Sequence, residues 1–228
     1  MSLCHRSEPA RGRDRRGRRP YNFDMKRATH RSSHGSGSAQ ARASAPPAAP
    51  VRPEAATLKL VHYPDPRLKT VAKEITKFDD WLVAVGERMK DLMVEHKGVG
   101  LAGPQVGLTL RIFVASPSAK HEEAKVYINP TLTDEHGSEE GEEGCLSLPD
   151  IRIKVPRFQS LRIEALDVKG QPFSESLSDF AARVVQHEND HLDGILLLDR
   201  MSPMAKLANR KTIKELEEEY RLRKEGGK

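Results

Sequence analysis

The sequence predicts an α+β fold, with antiparallel β-strands wrapped around a helix that carries His187 and His191. Three observations predict it. Segments 151–155 and 160–166 alternate apolar and polar residues, the period-two pattern of half-buried strands. Trp81, Leu82, Val85, Met89, Leu92 and Met93 recur at helical spacing, as one core-facing stripe should. A second helix-length segment, 180–192, follows the cap-forming residues Ser178 and Asp179.

The 228 residues suit one domain with tails. Residues 1–53 carry 12 Lys/Arg against three acids, a net of +9. The whole chain is +5, so the remainder is −4. The basic character belongs to the tail and is no argument for DNA binding by the folded part. No apolar run approaches the ~18 residues of a membrane span. The N-terminus lacks the apolar core of a secretory signal, about 7–15 residues, so no membrane partner is expected. Cys4 and Cys145 make no disulfide framework and suit a reducing compartment.

Residues 1–55, rich in Arg, Ser, Ala and Pro, are expected to form a disordered basic tail, because they cannot bury enough apolar surface to offset their ordering entropy. The tail reads as an inert extension or upstream sequence before a start such as Met25, as an organelle transit peptide, or as a nucleic-acid arm built on the cations from Arg11 to Arg19. The expected compartment is a bacterial cytoplasm, with a mitochondrion or plastid as the alternative if residues 1–55 are a transit peptide.

Residues 58–62 read as a short strand turned by Tyr63-Pro-Asp-Pro66. Asp79 or Asp80 caps a helix running to about His96. Residues 98–107 hold four glycines in ten, which means backbone in special conformations or in close approach to something. No Lys-Ser/Thr follows, so this is not a phosphate loop. Gln105 is its only side chain able to hydrogen-bond a substrate. Segments 111–116 and 125–130 are strand-like. Residues 134–143 read as an acidic loop leading to Cys145. Lys169-Gly170 turns the chain into a third alternating strand near 172–177. A charged helix follows from about 203 to 224, with Pro203 in its first turn. The domain reading is therefore a tail over 1–55, a catalytic domain over 56–205 and a charged C-terminal helix over 206–228.

Chemistry gathers at Gln186-His-Glu-Asn-Asp-His-Leu192. His187 and His191 are four apart, one turn apart on one helix face, so both imidazoles can hold one divalent metal. Glu188 beside them can move protons on a water. A third ligand is needed. Position 197, where a metzincin has its third histidine, is Leu197, and no histidine follows His191. Glu215 lies on a helix that reads as solvated. Cys145 is the better candidate: a thiolate with two imidazoles suits Zn²⁺ or Fe²⁺ and leaves a position open.

Three segments together resemble the peptide deformylase family. That family carries Gly-x-Gly-x-Ala-Ala-x-Gln, Glu-Gly-Cys-Leu-Ser and Gln-His-Glu-x-Asp-His-Leu in this order. Here they stand at 98–105, 143–147 and 186–192. Residues 60–68 and Val155-Pro-Arg157 look similar too, so the resemblance spans about 57–205. One position departs: the second alanine of the first motif is Gly103, expected to loosen or reshape the loop carrying Gln105.

The resemblance implies a deformylase-like fold, antiparallel strands around a central metal-binding helix, and removal of the formyl group from N-formylmethionyl nascent peptides. It implies Cys145, His187 and His191 as ligands to Fe²⁺, replaceable by Zn²⁺, Ni²⁺ or Co²⁺. Glu188 would be general base and acid, and Gln105 with the Leu146 N–H would bind the oxyanion. Val99, Gly100, Glu143 and Gly144 would line the substrate. The ribosome is a further expected partner, and the chain is expected to be a monomer. The competing readings are a zincin-type metallopeptidase and a non-enzymatic ribosome- or RNA-associated protein. Arg152 and Arg157 are expected to pair with Asp190 or Glu143 behind the ligands.

Overall fold

A computed structural model describes residues 52–226. The expectations for the basic tail otherwise lie outside the described residues. Its last positions, 52–55, are placed: Arg52 lies over the Trp81 ring at 4.6 Å and pairs with Asp79 at 2.9 Å, so these four are not part of a disordered tail.

Two helices and two antiparallel sheets frame the site. Helix α1 spans Asp80–Glu95, and the Asp79 side chain caps it by accepting from Leu82 N–H. Strands β1 (Gly100–Ala102), β2 (Ile112–Ala115), β3 (Lys125–His136), β6 (Ser160–Leu166) and β7 (Pro172–Ser178) form one sheet in the order β1-β2-β3-β6-β7. Strands β4 (Glu139–Cys145) and β5 (Leu148–Arg157) form a separate two-stranded ribbon. Helix α2 spans Asp179–Leu192.

Alternation sorts the core. On β2, Ile112 and Val114 pack with Leu82, Val85, Met89 and Met93 of α1, while Phe113 and Ala115 pack in the cluster that holds Ala182, Val185 and Leu192 of α2. Both faces of β2 are covered, which is why all four residues are buried rather than every second one. On β6, Leu161, Ile163 and Ala165 join the α2 side. The His-bearing helix thus rests on the sheet, and the ribbon meets its other side through polar contacts.

Five expectations are corrected. Residues 58–62 form no strand; Val61 N–H donates to Gln105 O at 2.7 Å and Tyr63 N–H to Ser147 O at 2.9 Å, too few bonds for a ladder. The expected acidic loop over 134–143 is instead the end of β3, a tight turn at Gly137, and β4. Cross-strand cations make this possible: Glu142 stands opposite Lys154, and Arg152 lies 3.6 Å from Glu142. Ser178 sits at the N-cap of α2 but makes no cap hydrogen bond; its hydroxyl donates to the Asp179 carboxylate at 2.9 Å. The C-terminal helix is two helices, α3 (Pro203–Ala208) and α4 (Arg210–Gly226), broken at Asn209. Helix α4 is not solvated all round: Leu216 is buried and Ile213 packs against the ribbon cluster.

Candidate metal centre

The site forms where α2, the end of β4 and the glycine-rich segment meet. His187 and His191 stand one turn apart, their rings edge to face with centroids 5.0 Å apart. Cys145 Sγ lies 3.3 Å from His191 Nε2, and one ligand atom from each of Cys145, His187 and His191 lies within 4.8 Å of the others. Cys145 ends a strand, where the sequence had suggested a loop. Strand alternation explains its neighbours: Gly141, Glu143 and Cys145 turn inward, and Glu140, Glu142 and Gly144 turn outward.

Glu143 is therefore presented to His187. Its Oε2 lies 3.0 Å from His187 Nδ1, and Arg157 grips both oxygens, Nε to Oε1 and Nη2 to Oε2, each at 2.9 Å. Arg183 Nη1 donates to Oε1 at 2.9 Å. Burial alone would raise the Glu143 pKa, but His187 and Arg157 bonded to it hold the carboxyl down to about 2. Both oxygens are thus engaged by groups of the protein, one of them by the His187 ring.

Arg157 also donates from Nη1 to Asp190 Oδ2 at 2.7 Å, and Arg200 caps the same Asp190 from outside. The expected second-layer pairing thus holds for Arg157 and fails for Arg152, whose side chain is 71% exposed. Parity decides it: Ile151, Ile153, Val155 and Arg157 share the buried face of β5, and Arg152 lies on the other.

Glu188 is buried, and its Oε2 has no hydrogen-bond partner among the described residues. Burial, as the main cause, pushes its pKa up to about 7; the neighbouring His187 charge works the other way. Gly100 makes room for it: a Cβ there would lie 2.3 Å from Glu188 Oε1. Gln105 is buried; its Oε1 accepts from Ala102 N–H at 2.8 Å, and its Nε2 points to Cys145 Sγ at 3.4 Å and Ser147 Oγ at 3.3 Å.

Gly103 tightens the loop beneath Gln105 instead of loosening it. Its carbonyl accepts from Leu108 N–H at 2.9 Å, and a Cβ would meet Leu110 O at 2.8 Å and Leu108 O at 2.9 Å.

A cavity of about 470 Å³ opens over this cluster. Val99, Gly100, Gln105, Glu143, Gly144, Cys145, Leu146, His187 and Glu188 all line it, together with Leu148, Ile151 and Val184. Among the described residues, strands β1 and β4 each pair on one side only, so the edges carrying Gly100 and Gly144 are open there. A Cβ at Gly144 would make only ordinary contact, 3.7 Å from Arg152 Nη1, so the protein's own packing does not demand glycine there.

The donor set fits a divalent metal of borderline softness. Burial opposes charge on His187, yet Cys145 and Glu143 beside it hold its pKa well above the ordinary value. Burial, with the charges of His187 and Arg157, holds the His191 pKa well below. Among residues the sequence did not single out, Arg183 and Ser147 contact this cluster. The signal for Arg183 was its place one turn before His187.

A family model described as polypeptide deformylase matches residues 57–207. A peptide deformylase of Rhodopirellula baltica is 42% identical over 146 residues, 63% of this chain and 73% of that protein. An Arabidopsis thaliana protein, peptide deformylase 1B, chloroplastic/mitochondrial, is 41% identical over 166 residues, 72% of this chain and 61% of that one. The crystal structure of peptide deformylase from Plasmodium falciparum superposes with a TM-score of 0.70 at 38% identity, covering 72% of this chain and 98% of that one.

Proposed function

The chain belongs to the polypeptide deformylase family and is a deformylase, and we propose that Cys145, His187 and His191 hold its metal while Glu188 moves the protons. The observation that carries this is the meeting of three donors from two separate elements beside a buried, unpaired carboxylate. Fe²⁺ is the resident metal in this reading, with Zn²⁺, Ni²⁺ or Co²⁺ able to replace it. A divalent metal supplies Lewis acidity, lowering the pKa of a water it coordinates toward about 7.

The substrate is the N-formylmethionyl end of a new polypeptide. Its backbone adds to the open edges at Gly100 and Gly144, as an extended peptide joins an unpaired strand. Val99 and Leu146 give the methionine side chain an apolar wall. Glu188 takes a proton from the attacking water, whose oxygen adds to the formyl carbon. The Gln105 amide and the Leu146 N–H donate to the oxygen that becomes negative. Glu188 then delivers the proton to the amine as the C–N bond breaks and formate leaves.

The endopeptidase reading is set aside. Glu215, its candidate third ligand, lies exposed on α4 beside Lys211. The functional division in this reading is a catalytic body over 56–205 and a C-terminal segment, 206–228, that buttresses the ribbon through Ile213 and Leu216. A monomer, ribosome contact and a bacterial cytoplasm complete the reading. The relationship to the Arabidopsis protein favours an organelle as the second compartment, and import of a fusion carrying residues 1–55 would decide for it.

The decisive experiment is anaerobic purification, metal analysis, and formate release from formyl-Met-Ala-Ser. One metal per chain and formate release are expected, both lost in Cys145→Ala. Retained metal in Cys145→Ala would remove the assignment.

A further inference from the structure

The sulfur and the two histidines arrive on elements that share no strand pairing. Cys145 ends β4, which among the described strands is bonded only to β5, whereas α2 lies on the five-stranded sheet. The ribbon's apolar residues Leu148, Ile153 and Val155 pack with Leu197, Met201 and Leu216, away from α2. Facing α2, β4 offers Gly141, Glu143 and Cys145, which give a helix no apolar surface to pack on.

Arg183 of α2 bridges that seam. Nη2 donates to Glu139 O at 2.7 Å; Nη1 donates to Val155 O and Glu143 Oε1, each at 2.9 Å, with Gly141 O at 3.5 Å. One guanidinium thus joins both ribbon strands to the helix that carries His187. Its side chain is only 11% exposed. A planar fork of five donors can reach four acceptors at once, which lysine cannot do. Gly141 lets it in: a Cβ there would lie 2.7 Å from Arg183 Cζ.

We propose that Arg183 is a positioning residue of the metal centre, clamping β4 against α2 so that Cys145 stays in reach of His187 and His191, and that Gly141 is the glycine this clamp requires. The proposal rests on the ligand assignment above. It concerns metal retention, because groups that hold a ligand from behind set affinity by about 10–100-fold.

The test uses the full chain loaded with Co²⁺ and challenged with a chelator. Arg183→Ala should release the metal about 10–100-fold faster and weaken the thiolate-to-cobalt absorption. Arg183→Lys should recover part of the difference. Gly141→Ala should resemble Arg183→Ala alone and add nothing to it in the double variant, since the group it displaces is then gone. Arg162→Met, at an exposed arginine on β6, should release metal like the unaltered chain.

Release within about twofold of the unaltered chain in folded Arg183→Ala would overturn the proposal, as would a Gly141→Ala effect undiminished in the double variant. Should Arg183→Ala not fold, unchanged release in Gly141→Ala overturns it equally. Absence of thiolate absorption in the unaltered chain would instead defeat the ligand assignment.

Discussion

Gly100 faces the Glu188 carboxylate so closely that a β-carbon on Gly100 would stand 2.3 Å from Oε1. Gly100→Ala must therefore push the carboxylate aside while leaving all three candidate ligands in place. Formate release should fall by about 10²–10⁴-fold, the usual worth of a positioned general base. Metal content should be unchanged. Activity near that of the unaltered chain would mean that Glu188 has another productive position.

Glu188→Gln should cost the same factor by chemistry rather than displacement. Burial raises the Glu188 pKa to about 7, so the ionised base is lost as pH falls through that region. A bound cation favours the carboxylate, placing the acid limb of kcat/KM at or below about 7. That limb should vanish in Glu188→Gln. Stability runs the other way: between the ordinary carboxylate value and about 7 the folded protein holds more protons than the unfolded one, so this group costs stability as pH rises. Metal-free Glu188→Gln should gain Tm over the unaltered chain at pH 8 and little at pH 4.

Arg157 and Arg152 should behave as opposites. Arg157→Met removes the buried cation that Glu143 and Asp190 share, leaving Arg183 and His187 on the one and Arg200 on the other, and should cost up to about 3–5 kcal/mol. Arg152→Ala removes an exposed side chain and should stay within about 0.5 kcal/mol with metal affinity intact. Denaturant unfolding of both variants checks this.

The depressed Glu143 pKa carries its own signature. Its contribution to stability is present above the unfolded carboxylate value and is lost as pH falls toward about 2. Glu143→Gln should flatten that part of the stability profile, read from Tm across pH 2–5.

Gly103→Ala should destabilise by about 1–3 kcal/mol, because the carbonyls of Leu108 and Leu110 are already in the way. Resemblance alone gives the opposite expectation, since the family motif has alanine there. A Tm equal to that of the unaltered chain would show that the loop opens freely.

Much of this was legible because local patterns carry it. Helix α1 was readable from its apolar stripe and aspartate cap, and β6 from its alternation. The histidine pair was legible because helical spacing is a property of sequence separation alone. The strand over Glu139–Cys145 was not, because glutamates and glycines disfavour strands until a partner supplies cations opposite them. The strand expected over 58–62 failed for the converse reason: among the described residues the segment finds no strand to ladder with, only single bonds to Gln105 and Ser147.

By itself the sequence determined the candidate ligand types, the helix that carries two of those candidates, and which residues could serve acid–base chemistry. Spacing along a chain says nothing of distances across it. Only the tertiary structure decided that Cys145 meets His191 at 3.3 Å, that Arg157 rather than Arg152 turns inward, and that Arg183 holds the ribbon to the helix. The physical reason is that these contacts join elements far apart in sequence. Strand parity and the packing of both sheets about α2 set them.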